Sequence, residues 1–274
     1  MNRIENLFKK LKKNGETALI PFITTGDPDL ATTEKLIIEM KKKGADLIEL
    51  GLPFSDPLAD GPTIQASSQR ALLNNINARD LFSVIKKVRK KTDIPLVLMG
   101  YYNSMLQYGL KKFAKDAADS GLDGTIIPDL PLEEAKDWIK EARANNLCNI
   151  LLVAPTTPAK RIKKIVSASQ GFIYYVSVTG ITGARKELPM DLREGLIKVK
   201  EVSKKPVCVG FGISRPKQVS MLSKVSDGII VGSAIIRIME QHLVDKDGGY
   251  KSGPHLVEKV GEFIEGLKKA TKKS

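Results

Sequence analysis

An α/β fold in which eight parallel strands close into a single (β/α)8 barrel is predicted here by three observations. Short β-branched runs alternate with amphipathic stretches along the chain, and the runs number eight. No composition break, Ser/Gly-rich linker or tandem repeat divides the 274 residues. A barrel of this kind typically takes about 250 residues, so we expect one domain over 1–274, with a basic tail that frays after about residue 268.

An extra N-terminal helix is expected first, because Ile4, Leu7 and Leu11 recur at spacings of three and four. The strands then fall at 19–24, 47–51, 96–99, 124–127, 149–153, 172–176, 207–210 and 228–231. Between them, groups such as Leu81, Phe82, Ile85 and Val88, or Trp138, Ile139 and Ala142, share one helical face and should cover the barrel. Trp138 reads as core. Val257, Val260, Phe263, Ile264 and Leu267 mark an additional C-terminal helix. Cys148 and Cys208 lie in apolar runs and read as two buried thiols rather than a disulfide or metal pair.

An apolar fraction of 42% and a charged fraction of 27% predict a folded chain throughout. The formal charge of +13 raises the question of nucleic acid. The lysines, however, gather at 41–43, 90–91, 204–205 and 272–273, mostly where helical patterns end and cations complement the helix dipole. They lack interleaved aromatics, so we expect a solvated cationic shell and no nucleic-acid partner. No apolar run approaches the roughly 20 residues that span a bilayer, and residues 1–13 lack the apolar core of a secretory signal. A cytoplasmic protein without a membrane partner is the expectation.

In such a barrel the reactive groups project from the carboxyl ends of the strands and the loops that follow. Glu49 stands out there, a carboxylate inside the apolar run Leu47-Ile48-Glu49-Leu50. Burial without a cation raises a carboxyl pKa toward the range a general acid–base group needs at neutral pH. The next loop, Leu52 to Pro62, is stiffened by Pro53, Pro57 and Pro62. Asp56 and Asp60 can fold back from it over the mouth, although Asp60-Gly61 is also an ordinary turn pair. Gly210-Phe211-Gly212-Ile213-Ser214 after strand seven and Gly232-Ser233-Ala234 after strand eight suggest a phosphate site built from backbone N–H groups. Residues 177–185, with Gly180 and Gly183, suit a mobile cover. A Schiff-base aldolase needs a lysine at a strand end, and none stands there; a metal aldolase needs histidines or a carboxylate cluster, yet His242 and His255 lie beyond strand eight. A dinucleotide fingerprint is missing after strand one. Carboxylate acid–base chemistry on a phosphorylated substrate is what remains.

Pro21-Phe22-Ile23-Thr24-Thr25-Gly26-Asp27-Pro28 and the run from Glu49 to Pro62 resemble the tryptophan synthase alpha subunit family. So do Pro128-Asp129-Leu130-Pro131, residues 177–185 and residues 210–214. The likeness covers essentially the whole chain. It implies retro-aldol cleavage of indole-3-glycerol phosphate to indole and glyceraldehyde 3-phosphate in tryptophan biosynthesis. Glu49 would be the acid–base residue and Asp60 the carboxylate that binds the ring N–H. Phosphate donors would be Gly183, Phe211, Gly212, Gly232 and Ser233, with Thr182 the cover residue that meets Asp60 on closure. Phe22, Ile64 and Tyr174 would line the indole pocket, with Tyr101 a further substrate contact; either Tyr101 or Tyr102 lies beside Asp60. Ser104 departs from the proline common in relatives. The family implies no cofactor in this chain and an alpha2-beta2 heterotetramer whose beta subunit holds pyridoxal phosphate, met near Pro53, Asp56, Pro57 and Asn103. The alternative is a non-catalytic phosphate-binding barrel that only activates a partner subunit.

Overall fold

Asn2 sets the start of helix α1 (Arg3–Asn14), its side chain accepting from the Ile4 N–H at 2.9 Å, and Gly15 ends it at a left-handed φ of 67°. The computed structural model describes residues 2–176, 190–210, 212–246 and 249–272. The barrel strands are β1 (Ala18–Thr24), β2 (Ile48–Gly51), β3 (Leu96–Met99), β4 (Gly124–Ile126), β5 (Cys148–Ile150), β6 (Leu152–Val153), β7 (Ile173–Val176), β8 (Val207–Gly210) and β9 (Gly228–Val231). Every pairing among them is parallel, and β1 joins β2 on one side and β9 on the other.

The expected fifth strand, 149–153, is split. β5 pairs with β4 and β6 with β7, and between them the Leu151 N–H turns to Ser169 Oγ at 3.0 Å. The two ends of the sheet are therefore adjacent in sequence, and the predicted (β/α)8 barrel meets itself across Leu151. A feature absent from the sequence reading is the antiparallel hairpin of β10 (Leu243–Lys246) and β11 (Gly249–Ser252). With Leu243 and Val244 its only aliphatic residues, the first of these strands is too short for a period of two to register.

Strand residues that point outward, such as Leu19, Ile23, Ile48, Leu50, Leu96 and Leu98, join one buried cluster with the helical faces. Those faces include Leu36, Ile37 and Met40 of α2 (Leu30–Lys42) and Leu81, Ile85 and Val88 of α4 (Ala78–Arg89), with α3 (Pro62–Leu73) between them in the chain. Next come α5 (Tyr102–Tyr108), α6 (Leu110–Ser120) and α7 (Lys136–Ala144); Trp138 of α7 is fully buried, as expected, and its Nε1–H donates to Thr125 Oγ1 at 3.2 Å. The ring continues through α8 (Ala159–Ala168), α9 (Met190–Val202), α10 (Pro216–Ser223), α11 (Ser233–Glu240) and α12 (Leu256–Lys269). Each Leu or Ile so buried contributes roughly 1.5–3 kcal/mol, which holds the helices to the sheet. Lys272, within the stretch expected to fray, forms an isolated antiparallel backbone β-bridge with Glu16. Among the described residues no helix is long and apolar enough to cross a membrane.

A second cluster fills the lumen: Ile20, Val97, Ile126, Ile150, Cys208 and Ile230 from the strands, with Leu47 and Phe172 just ahead of β2 and β7, closed below by Ile4, Phe8 and Leu11 of α1. The extra helix is thus the plug of the barrel floor. Three carboxylates work at that end. Asp46 accepts from Leu19 N at 2.7 Å, Asp123 from Leu96 N at 2.8 Å and Asp227 from Val207 N at 2.9 Å. Lys268, Arg89 and Lys200 respectively pair with them at 2.7, 2.7 and 3.0 Å. These acids staple neighbouring strands together at the floor, while in barrels of this kind the reactive groups stand at the opposite end.

Candidate active site

Period-two alternation decides where Glu49 points. Leu47 belongs to the lumen cluster, so Glu49, two residues on, faces inward one layer nearer the mouth. It stands level with Phe22 on β1 and Val97 on β3, and Tyr174, two residues after the lumen residue Phe172, faces inward likewise. Glu49 is 1% exposed, and neither carboxyl oxygen has a hydrogen-bond partner among the described residues. Burial first, and the charge of Asp60 second, push its pKa from an ordinary 4.5 up to about 8. It therefore carries its proton at neutral pH.

Asp60 is held over the mouth by a set of local bonds. The loop turns through Leu58 N to Asp56 O and Asp60 N to Pro57 O, both 2.9 Å. Tyr101 Oη–H donates to Asp60 Oδ2 at 3.0 Å and accepts from Ala59 N at 2.9 Å, while the Phe54 ring stacks on Tyr101 with centroids 5.1 Å apart. This identifies the tyrosine beside Asp60 as Tyr101. Tyr102 instead opens α5, its N–H donating to Asp129 Oδ1 at 2.9 Å and its ring turned to the outer core. Burial raises the Asp60 pKa and the Tyr101 bond opposes that rise. Burial and the Asp60 charge raise Tyr101, which keeps its phenol a donor. Two carboxyls thus share one space in different environments, Glu49 buried without a hydrogen-bond partner among the described residues and Asp60 held by the Tyr101 hydroxyl.

That space is a cavity of about 640 Å³ lined by Phe22, Glu49, Asp60, Ile64, Tyr174, Gly212, Gly232 and Ser233, all of them predicted from the sequence. Of the remaining predicted residues, Tyr101 borders it through Asp60, whereas Thr182, Gly183 and Phe211 lie outside the described residues. Glycine is needed at 210, where a Cβ would stand 2.5 Å from the Tyr174 hydroxyl. At Gly212 the chain turns with φ 68°, a conformation that strains residues with a side chain. Across the rim, helix α11 begins at Ser233 with no side-chain cap on its first amides among the described residues, and Gly232, Ser233 and Ala234 at its positive end line the cavity. The sequence reading missed Arg215 and Arg237, which also line the cavity. Arg237 was recoverable, since it stands four residues after Ser233 on one helical face.

Taken together, the site offers a buried acid with a raised pKa, a second carboxyl 11 residues later in the chain, aromatic walls and a rim of glycine-containing loops with two arginines. It can protonate and deprotonate a bound aromatic substrate and hold an anionic tail. The model of the family described as Tryptophan synthase alpha chain matches residues 8–271. Curated alpha chains from Geotalea uraniireducens, 47% identical over 99% of this chain and 98% of the relative, and Thermoanaerobacter pseudethanolicus, 48% identical over 98% and 99%, are similar. The crystal structure of the alpha subunit from Legionella pneumophila superposes with a TM-score of 0.88 at 37% identity, covering 99% of this chain and 98% of that one. A Pyrococcus furiosus structure concerned with mutual activation of the tryptophan synthase a2b2 complex gives 0.84 at 38% identity, with coverages of 92% and 98%. Identity of this extent over nearly the full length leaves one conclusion, that the chain belongs to the tryptophan synthase alpha chain family.

Proposed function

We propose that this chain is a carbon–carbon lyase performing the alpha reaction of tryptophan synthase, the retro-aldol cleavage of indole-3-glycerol phosphate in L-tryptophan biosynthesis. The observation that carries the reading is the buried Glu49, without a hydrogen-bond partner among the described residues, sharing one cavity with Asp60 opposite the start of α11. Glu49 gives its proton to the indole ring carbon that bears the side chain, which places positive charge on the ring nitrogen. Asp60, bound to the ring N–H, stabilises that charge. Glu49, now ionised, takes the proton of the adjacent hydroxyl. The side-chain carbon–carbon bond then breaks, its electrons returning to the ring, and indole and glyceraldehyde 3-phosphate separate with Glu49 protonated again.

Phe22, Ile64 and Tyr174 hold the indole, and Tyr101 orients Asp60. Gly212, Gly232 and Ser233, with Gly183 and Phe211, donate to the phosphate, while Thr182 meets Asp60 on closure. The chemistry needs no cofactor in this chain; pyridoxal phosphate belongs to the beta subunit of an alpha2-beta2 heterotetramer. Exposed Asp56 and Asn103, with Leu58 94% exposed between the prolines of the loop and Asp60, support a docking surface for that subunit at the mouth. We read the chain as one domain over 1–274 acting in the cytoplasm. Retention of both carboxyls in one cavity favours turnover over a merely activating module.

Purified chain mixed with indole-3-glycerol phosphate, alone and with the beta subunit, tests the proposal. Indole should form slowly without the partner and faster with it. Absence of indole under both conditions refutes the reading.

A further inference from the structure

We propose that Arg215 and Arg237 supply the full positive charges of the phosphate rim and set the selectivity of this site for a dianionic tail. The inference rests on the phosphate-binding reading of the cavity given above and assigns it two residues. Both side chains line the cavity, Arg215 from the residue that precedes α10 after β8 and Arg237 from the second turn of α11 after β9. Neither has a salt-bridge partner among the described residues; Arg79, Arg143 and Arg193 also lack one, but Arg215 and Arg237 are the two arginines that line this cavity, while Arg3, Arg70, Arg89 and Arg161 each pair with a carboxylate. A guanidinium facing a pocket without a counter-ion is matched by an anionic ligand.

The backbone alone gives less here than two glycine loops suggest. At the start of α10, the N–H groups of Ser214 and Arg215 are already taken, both donating to Gln218 Oε1, at 2.9 and 3.0 Å. They are spent on fixing the loop, so the charge on that side comes from the Arg215 side chain. At α11 the Ile235 N–H already donates to Gly232 O at 2.8 Å, the first amides have no side-chain cap among the described residues, and a helix end amounts to only about half a unit charge. A phosphate monoester carries nearly two negative charges at pH 7. Arg237 adds a whole charge one turn above Ser233, because residues four apart stand about 6 Å from each other on a helix. Both arginines are exposed at the rim rather than buried, so they attract the tail without a desolvation cost that would oppose binding.

The test uses the full chain with the beta subunit and glycerol 3-phosphate as a competitive inhibitor of indole release. Arg215→Ala and Arg237→Ala should each weaken glycerol 3-phosphate, and raise KM for indole-3-glycerol phosphate, by roughly 3- to 10-fold, with the larger part of the loss in KM rather than kcat. Lysine at either position should restore most of the affinity. Added NaCl should weaken the parent more steeply than the double alanine variant, because screening acts on the charges removed. A double variant that binds glycerol 3-phosphate within 1.5-fold of the parent, with the same salt dependence, overturns the assignment and leaves the phosphate site itself standing. A parent that does not bind glycerol 3-phosphate overturns both.

Discussion

Replacing Glu49 by glutamine separates what this carboxyl does for the reaction from what it costs the fold. The amide is nearly isosteric with the neutral acid and never ionises, so the variant fixes the uncharged form. With a folded-state pKa of about 8 against an ordinary 4.5, the folded chain keeps this proton over a range where the unfolded chain has lost it. The folded state then binds more protons, and stability falls as pH rises from about 4.5 to about 8. At pH 7 the span of about 2.5 units is worth up to about 3 kcal/mol, and at pH 5 less than about 1 kcal/mol. Glu49→Gln should therefore be more stable than the parent at neutral pH, by at most roughly 10 °C in Tm for a chain of this size, with little gain at pH 5. Its turnover should fall by roughly two to four powers of ten, since the shuttled proton is lost. Thermal unfolding at pH 5 and pH 8, together with indole release in the presence of the beta subunit, checks both halves. A Tm difference that is the same at the two pH values, or turnover within threefold of the parent, would refute the reasoning.

Asp60→Asn should lower kcat by roughly 10²- to 10³-fold while the chain still binds glycerol 3-phosphate, because the lost group acts on charge that develops during the reaction; wild-type turnover removes Asp60 from the mechanism. Tyr101→Phe deletes the 3.0 Å bond to Asp60 and should cost roughly 3- to 10-fold in kcat/KM, a loss that largely vanishes when Asn already occupies position 60. Additive losses in that double-mutant cycle would show that Tyr101 does not act through Asp60. Arg70→Leu strands Asp27, which is fully buried and held by Arg70 Nε and Nη2 at 2.8 Å, and should destabilise the chain by about 3–5 kcal/mol in urea unfolding. A loss below about 1 kcal/mol would mean that Ser67, at 2.7 Å, and solvent suffice for that carboxylate.

The parts of this molecule legible in its sequence are those with a period or a forced chemistry. The eight barrel strands, the floor helix and the core placement of Trp138 follow from apolar spacing. Glu49 stands out because a carboxylate in an apolar strand has few bland explanations. The break at Leu151 leaves no trace in hydropathy, since Leu151 is as apolar as its neighbours and differs only in where its N–H finds an acceptor. The choice between Tyr101 and Tyr102 was invisible for a similar reason: it is decided by which residue ends the β3 loop and which starts α5. Arg215 and Arg237 were hidden among 44 basic residues, and only the cavity separates them from lysines that merely solvate helix ends.

The protonation state of Glu49 is the point on which the mechanism stands, and a carbon-13 NMR titration of its side-chain carboxyl carbon, assigned by its absence in the Glu49→Gln variant, reads it directly. The account predicts a midpoint near pH 8, lowered when Asp60 is replaced by asparagine, because the neighbouring charge contributes to the rise. A midpoint between about 4 and 5, the ordinary glutamate range, would contradict it.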